Sequence, residues 1–210
     1  TIDLVVLSHP QADHTAGLLE VLQRYRVEQV LYPAVGEESL LSDRWLGLIG
    51  GKGIRSTIAR AGQRMVLSGG VIIEVLNPPA SLSSDAESDP NNEAVVLRVS
   101  FGKVSFLLTG DIMRAAELEL IMRRADLAST VLKVAHHGSD TSTTPEFLAV
   151  VAPHLAVISA GKDNRFGHPG TAVLDRLVEE VGRGNVFRTD EDGNVEFITD
   201  GEKLWVKVGS

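Results

Sequence analysis

Apolar positions along this chain follow two periods, and the places where one gives way to the other mark its elements. The short apolar run Asp3–Leu7 predicts a buried strand. Leu18, Leu19, Val21 and Leu22 then fall on one helical face and predict a helix over Thr15–Tyr25. "VEQVLYP" predicts a strand closed by Pro33, and "ESLLSDRWLGLIGGKG" a helix ended by glycines. "IRSTIARAG", "QRMVL" and "GVIIEVLNPP" predict successive strands joined by Gly-rich turns. The Ser/Asp-rich segment Ser81–Asn92 predicts a loop, the least ordered part of the chain.

The second half resumes with "EAVVLRVSFGKVSFLLTGD", two apolar runs around a Phe-Gly-Lys turn, which predicts a hairpin. A helix is expected over Met113–Arg124, with Leu118, Ile121 and Met122 on one side. "TVLKVAHHGS" predicts a strand ending in paired histidines. "TPEFLAVVA" predicts a short helix with Pro145 in its first turn. "LAVISAG" predicts a buried strand, "TAVLDRLVEEVG" an amphipathic helix, and "NVFRT", "NVEFIT" and "KLWVKV" closing strands. There are no repeats or heptads. The mixture implies an α+β chain, and two sheets enclosed between helices in an α/β/β/α layering fit it. With 210 residues, 43% of them hydrophobic, one domain spanning residues 1–210 can bury a full core.

Composition narrows the chemistry. The net charge of −8 argues against a protein that lives on nonspecific phosphate contacts and suits an acidic, cation-binding site. There is no cysteine, so disulfides and thiolate ligands are excluded and any metal must sit on nitrogen and oxygen donors. No apolar run reaches the ~20 residues of a membrane span, and no signal peptide is visible. The chain opens directly on a strand, as a piece of a larger protein would, and membrane segments would belong to the remainder.

The polar residues of interest each follow an apolar strand: His9, Asp13 and His14 after "LVVL", Asp111 after "FLLTG", His136 and His137 after "VLKVA", and His168 after "VISAGKDNRFG". Singly, each has an ordinary role. His9 reads as a loop histidine, Asp13 and Asp111 as helix caps, His136 and His137 as an exposed pair, and Lys133 as a snorkelling side chain. His154 reads as a surface residue. Jointly, four strand ends bearing His or Asp converge on one rim if the strands run the same way, and imidazole with carboxylate is a donor set for Zn, Mn or Fe.

"SHPQADHTAGL" resembles the His-x-His-x-Asp-His loop of the metallo-β-lactamase superfamily, and "FLLTGD" its strand bearing the metal-bridging Asp. "LKVAHHGS" and "RFGHP" narrow the resemblance to the β-lactamase-like domain at the C-terminal end of the ComEC family of DNA-uptake channel proteins. The resemblance runs from Leu4 to about Thr199. It implies a four-layer αββα sandwich, here without the superfamily's usual opening strands, and a metal-dependent hydrolase. Within that family it implies a nuclease that degrades the DNA strand not imported. It also implies single-stranded DNA and the other domains of the channel as partners, no small organic cofactor, and a soluble domain of an inner-membrane protein on the extracytoplasmic side.

Carried over position by position, the resemblance makes His9, Asp13, His14, Asp111 and His137 metal ligands. His136 then faces the substrate phosphate, and His168 and Lys133 are candidates for phosphate contact or leaving-group protonation. Ser139 and Asn92 are further candidates for substrate contact. Two positions depart from the pattern: Gln11 replaces the loop's middle histidine, and Asn91 or Asn92 stands where a histidine precedes the bridging Asp. One site thus keeps only His9 and Asp111, while the other, Asp13, His14, Asp111 and His137, is complete. This implies one strong site for Mn or Zn and a second, weaker, oxygen-rich one favouring Mn or Mg. The same departures leave open a DNA-binding or gating module with a weakened metal site. The fold equally allows a hydrolase of small phosphodiesters, lactones or thioesters.

Overall fold

The computed structural model describes residues 1–34, 40–80 and 89–209. Most of the expected polar loop (81–88) and the start of the second helix (38–39) lie outside the described residues. The elements run β1 (Ile2–Val6), α1 (Ala12–Arg24), β2 (Val27–Tyr32), α2 (Leu40–Lys52), β3 (Arg55–Ile58), β4 (Arg64–Val66) and β5 (Ile72–Asn77). They continue β6 (Val96–Phe101), β7 (Val104–Leu108), α3 (Arg114–Met122), β8 (Val131–Lys133), α4 (Pro145–Val151) and β9 (Leu155–Ile158). The chain closes with α5 (Thr171–Val181), β10 (Val186–Arg188), β11 (Asn194–Thr199) and β12 (Leu204–Gly209).

Strands β1, β2 and β3 form a three-stranded parallel sheet. A seven-stranded sheet has the order β10-β9-β8-β7-β6-β5-β4, antiparallel from β4 to β7 and parallel from β7 to β10. The two sheets stack face to face, because their strands alternate between two apolar faces. Leu31, Ala59, Ile73, Val75, Val95 and Leu97 form the layer between the sheets. Trp45, Leu19, Leu22, Val30 and Ile49 fill the layer between the small sheet and α1 and α2. Leu107, Leu120, Leu132, Phe147, Ile158 and Leu177 fill the layer between the large sheet and α3, α4 and α5. Three apolar interfaces between four layers, two of helices and two of sheet, are the expected αββα sandwich.

The hairpin β11–β12 lies apart from both sheets. It is pinned by Phe197, whose ring meets Phe106 at 5.9 Å and Phe187 at 6.1 Å, and by the Lys103 N–H donating to the Gly201 carbonyl at 2.6 Å. Buried Glu117 of α3 accepts from the backbone N–H groups of Thr143 and Thr144, tying α3 to the start of α4.

Two local differences from the sequence expectation bear on the site. Helix α1 begins at Ala12, three residues before the expected Thr15, so Asp13 and His14 ride on its first turn. Strand β8 ends at Lys133, and the paired histidines lie beyond it in a tight turn.

Candidate metal centre

The C-terminal ends of β1, β7, β8 and β9 meet on one rim. Three of these are parallel neighbours in the large sheet, and β1 comes from the small sheet. Asp111 sits in the turn after β7 and is 1% exposed. That turn needs Gly110, which has φ +54°, and a Cβ there would stand 3.0 Å from Ala94 Cβ and 3.3 Å from Ser8 Cβ. After β8, His136 and His137 both adopt left-handed backbone, with φ of 50° and 55°, followed by Gly138 at 81°. Non-glycine residues there carry strain, which marks a functional turn when the surroundings hold it. Here the His136 N–H donates to Gly110 and the Gly170 N–H to Gly138.

Asp111 Oδ2 is the hub. It lies 3.2 Å from His137 Nε2, 3.3 Å from His14 Nε2 and 3.8 Å from His9 Nε2. Asp13 Oδ2 lies 3.4 Å from His137 Nε2 and 3.6 Å from His14 Nε2, and the two Nε2 atoms are 3.2 Å apart. Atoms bonded to one tetrahedral ion at 2.0–2.1 Å stand about 3.4 Å from each other. Five separations within this four-atom set match that spacing, and Asp13, His14 and His137 form a group that could hold one divalent cation.

Tautomers support the fit. His137 Nδ1 donates to the Ser159 carbonyl at 2.7 Å. A carbonyl only accepts, so Nδ1 carries a proton, and the ring, once neutral, turns its Nε2 lone pair into the cluster. The Ser8 hydroxyl oxygen lies 3.0 Å from His14 Nδ1 and 3.1 Å from His9 Nδ1. Accepting from both leaves both Nε2 atoms free to bind. Lone pairs and carboxylate oxygens crowded at this distance repel unless a cation or a proton sits among them.

A second grouping shares Asp111. His9 is 1% exposed, and its Nε2 has no hydrogen-bond partner, nor has Asp111 Oδ1. With His14, these residues form a second group that could hold a cation. Where the superfamily pattern has two further histidines, Gln11 Nε2 donates to Asn91 Oδ1 at 2.6 Å. Of the two asparagines considered for this place, Asn91 holds it.

The remaining expected residues divide. His136 and His168 lie with their rings 5.9 Å apart and line, with Asp13, Asp111, His137, Gln11, Arg165 and Phe166, an open cleft of about 400 Å³. Lys133 does not reach that cleft. Its Nζ donates to the carbonyls of Gly110 and Val134, below the cluster. Ser139 is buried and pairs with Thr141 Oγ1, which in turn lies 3.3 Å from His136 Nδ1, so it acts on His136 at one remove. Asn92 does not face the cleft: its Oδ1 accepts from the N–H groups of Met113 and Ala116 and caps α3. His154 is exposed, as expected.

Charge follows from these surroundings. Burial would raise the Asp111 carboxyl, but hydrogen bonds from His137 and His14 outweigh it and hold the group well below the carboxylate range. Burial lowers His9 to about 4, so this imidazole is neutral at pH 7. Burial also lowers His136 and Lys133. The hydrogen bond to Asp111 raises His137.

These shifts predict a pH dependence whose sign the cation changes. Between pH 4 and 6.5 the folded chain binds fewer protons at His9 than the unfolded chain, so stability rises with pH. The lowering of His9 from its ordinary value to about 4 corresponds to roughly 3 kcal/mol. The His137 contribution is full below pH 6.5 and is lost as pH climbs through its raised value. In chelator, urea unfolding should therefore show His137 drawing stability down above pH 6.5, a fall absent from His137→Ala. With saturating Mn or Zn, stability should rise there instead, because the cation needs the proton gone. The same slope with and without cation would contradict the assigned ligands.

The sandwich and the His/Asp cluster at its rim define a metallo-hydrolase class of protein. A family model, "Metallo-beta-lactamase superfamily", matches residues 1–162, and the chain belongs to that superfamily. It is 30% identical over 196 residues to ComE operon protein 3 of Bacillus subtilis, covering 93% of this chain and 24% of that protein. It is 31% identical over 176 residues to Recombination protein 2 of Haemophilus influenzae (84% and 20%) and 37% identical over 129 residues to Competence protein ComA of Neisseria gonorrhoeae (61% and 18%). The chain thus spans about a quarter or less of the length of these relatives. A putative metal-dependent hydrolase from Parabacteroides distasonis shares the fold, with a TM-score of 0.55 at 12% identity over 90% of this chain and 78% of its own.

Sequence reasoning missed Ser8, the Ser159 carbonyl, Thr141, and the pair Arg165 and Phe166 at the cleft. Ser8 adjoins His9, and Arg165 and Phe166 lie in the "RFGHP" stretch beside His168; these were the signals available.

Proposed function

We propose that residues 1–210 form one domain of a larger protein, and that this domain is a metal-dependent phosphodiesterase that cleaves DNA, degrading the strand not imported during DNA uptake. The observation that carries this reading is the four-atom set of Asp13, His14, Asp111 and His137, whose spacing and fixed His137 tautomer suit one divalent cation, Mn or Zn. Such a cation supplies Lewis acidity and a nucleophile at neutral pH. His136, kept neutral by burial, offers an N–H to a phosphate oxygen in the cleft, and His168 lies beside it to protonate a leaving group. Lys133 serves as a positioning charge beneath Asp111. The names of the relatives, a competence protein and a recombination protein among them, support DNA as the substrate class.

Among the described residues no helix is long and apolar enough to cross a membrane. The domain is proposed to stand on the extracytoplasmic side of an inner-membrane protein, with single-stranded DNA and the channel's other domains as partners. The Gln11–Asn91 pair favours a second reading, a DNA-binding or gating module whose metal site has weakened.

A cleavage assay on fluorescent single-stranded DNA with Mn, Mg or Zn separates the readings. The parent should cleave, and Asp13→Ala should lose at least 100-fold in rate. No cleavage with any cation, or equal cleavage by Asp13→Ala, overturns the nuclease reading. DNA binding with a steep salt dependence and no cleavage selects the module. Far better turnover of a small chromogenic phosphodiester selects a small-molecule hydrolase.

A further inference from the structure

Beyond the cluster, the cleft has a second wall, of which the proposed chemistry uses only His168. It is the loop Gly161–Pro169, which carries the Phe166 ring and the Arg165 guanidinium to the mouth of the site. Phe166 is 67% exposed; among the described large hydrophobic side chains only Leu40 and Met122 are more exposed. Its ring lies nearly parallel to that of His168, at 17° and 5.9 Å between centroids. The Arg165 guanidinium stands over the Phe166 ring at 4.9 Å. Arg165 and Lys162 are exposed, and among the described residues neither makes an ion pair; one carboxylate, Asp163, shares the loop. In a chain of net charge −8 this is a local excess of positive charge.

The loop is held in shape. Asn164 Nδ2 donates to the carbonyls of Gly161 at 2.9 Å and His168 at 2.6 Å, and its Oδ1 accepts from the His168 N–H at 2.9 Å. Gly167, at φ +70°, turns the chain between the two rings. At the loop's far end Pro169 packs on Gly138, where a Cβ would come within 2.7 Å of it, so the loop is seated directly on the His137 turn. An exposed aromatic ring on a loop braced by three side-chain hydrogen bonds gives up little entropy on binding. Phe166, Arg165 and His168 face the same cleft as Asp13, Asp111 and His137.

We infer that Phe166, flanked by Arg165 and His168, is a nucleobase-stacking platform that seats a base of single-stranded nucleic acid beside the cation cluster. This deepens the phosphodiesterase reading and rests on it. A flat apolar face suits the π-face of any base, and a guanidinium stacks on the same plane while attracting the backbone. A ligand that offers an unstacked base next to a phosphodiester is single-stranded nucleic acid. A duplex keeps its bases inside the helix and presents the platform with nothing to stack.

The test is a binding cycle read by fluorescence anisotropy at low salt in chelator, where no cleavage competes. The probes are a labelled single-stranded DNA oligonucleotide and an abasic one of the same length and phosphate count. Phe166→Ala should weaken the base-bearing probe roughly tenfold and leave the abasic probe unchanged, while Phe166→Trp should keep the parent affinity. Equal effects of Phe166→Ala on both probes, or none on either, overturn the platform. A parent that cleaves DNA with Mn but does not distinguish the probes overturns the platform and leaves the nuclease reading standing. A parent that neither binds nor cleaves DNA overturns both.

Discussion

Replacing Asp111 with asparagine should abolish cation-dependent stabilisation and activity while leaving the sandwich folded. The substitution keeps the shape of the side chain and removes the one oxygen that approaches His14, His137 and His9 together. A neutral amide oxygen is a far weaker donor, and its NH₂ group would face imidazole nitrogens that need a cation. Mutating residues that merely orient ligands costs 10–100-fold in affinity, so losing this direct ligand should cost at least 100-fold. The readout is thermal unfolding with and without Mn or Zn. At 100 times its Kd a cation stabilises the parent by about 2.7 kcal/mol, which moves Tm by roughly 5–10 °C in a domain of this size. Asp111→Asn should show a shift near zero. An undiminished shift would mean that the cation binds elsewhere and that the five matching separations have another cause.

The element order and the converging strand ends were legible in the sequence for a physical reason. Apolar runs bounded by Gly and Pro report buried strands, and parallel strands deliver their last residues to one rim, so His9, Asp111 and His137 could be placed together before any geometry was known. What escaped was what periodicity does not encode. The left-handed backbone at His136 and His137 depends on contacts to Gly110 and Pro169, remote in sequence, and histidine itself gives no sign of it. The Ser159 carbonyl that sets the His137 tautomer is backbone, which has no residue signature. Asn92 looked available for substrate because an asparagine before a helix reads the same whether it faces a cleft or caps a helix; the structure spends its oxygen on Met113 and Ala116. Lys133 looked like a phosphate ligand because its strand ends at the site, yet its amine turns back onto two carbonyls below it.

The two departures from the superfamily pattern yield the second large expectation: Gln11→His combined with Asn91→His should raise cation binding from one to two per chain. The pieces for the second ion are already present. His9 Nε2 and Asp111 Oδ1 are buried and unpartnered, and burial keeps His9 neutral to about pH 4, so no proton competes for it near neutrality. The amide pair between Gln11 and Asn91 completes its own hydrogen bond and offers only neutral oxygen to an ion. Two imidazoles in its place would make a set of three nitrogens and one carboxylate oxygen, which suits Zn rather than Mn or Mg. Asn91 is 7% exposed, so the larger ring there carries an overpacking cost of about 1–3 kcal/mol. Gln11 lies at the exposed start of α1, so Gln11→His alone should fold as the parent does and bind a second Zn weakly. Metal counted against protein by elemental analysis, with titration calorimetry for affinity, gives the answer. A folded double variant that still holds one ion would show that the half-site of His9 and Asp111 does not bind metal, and that their unpartnered atoms answer to the first site alone.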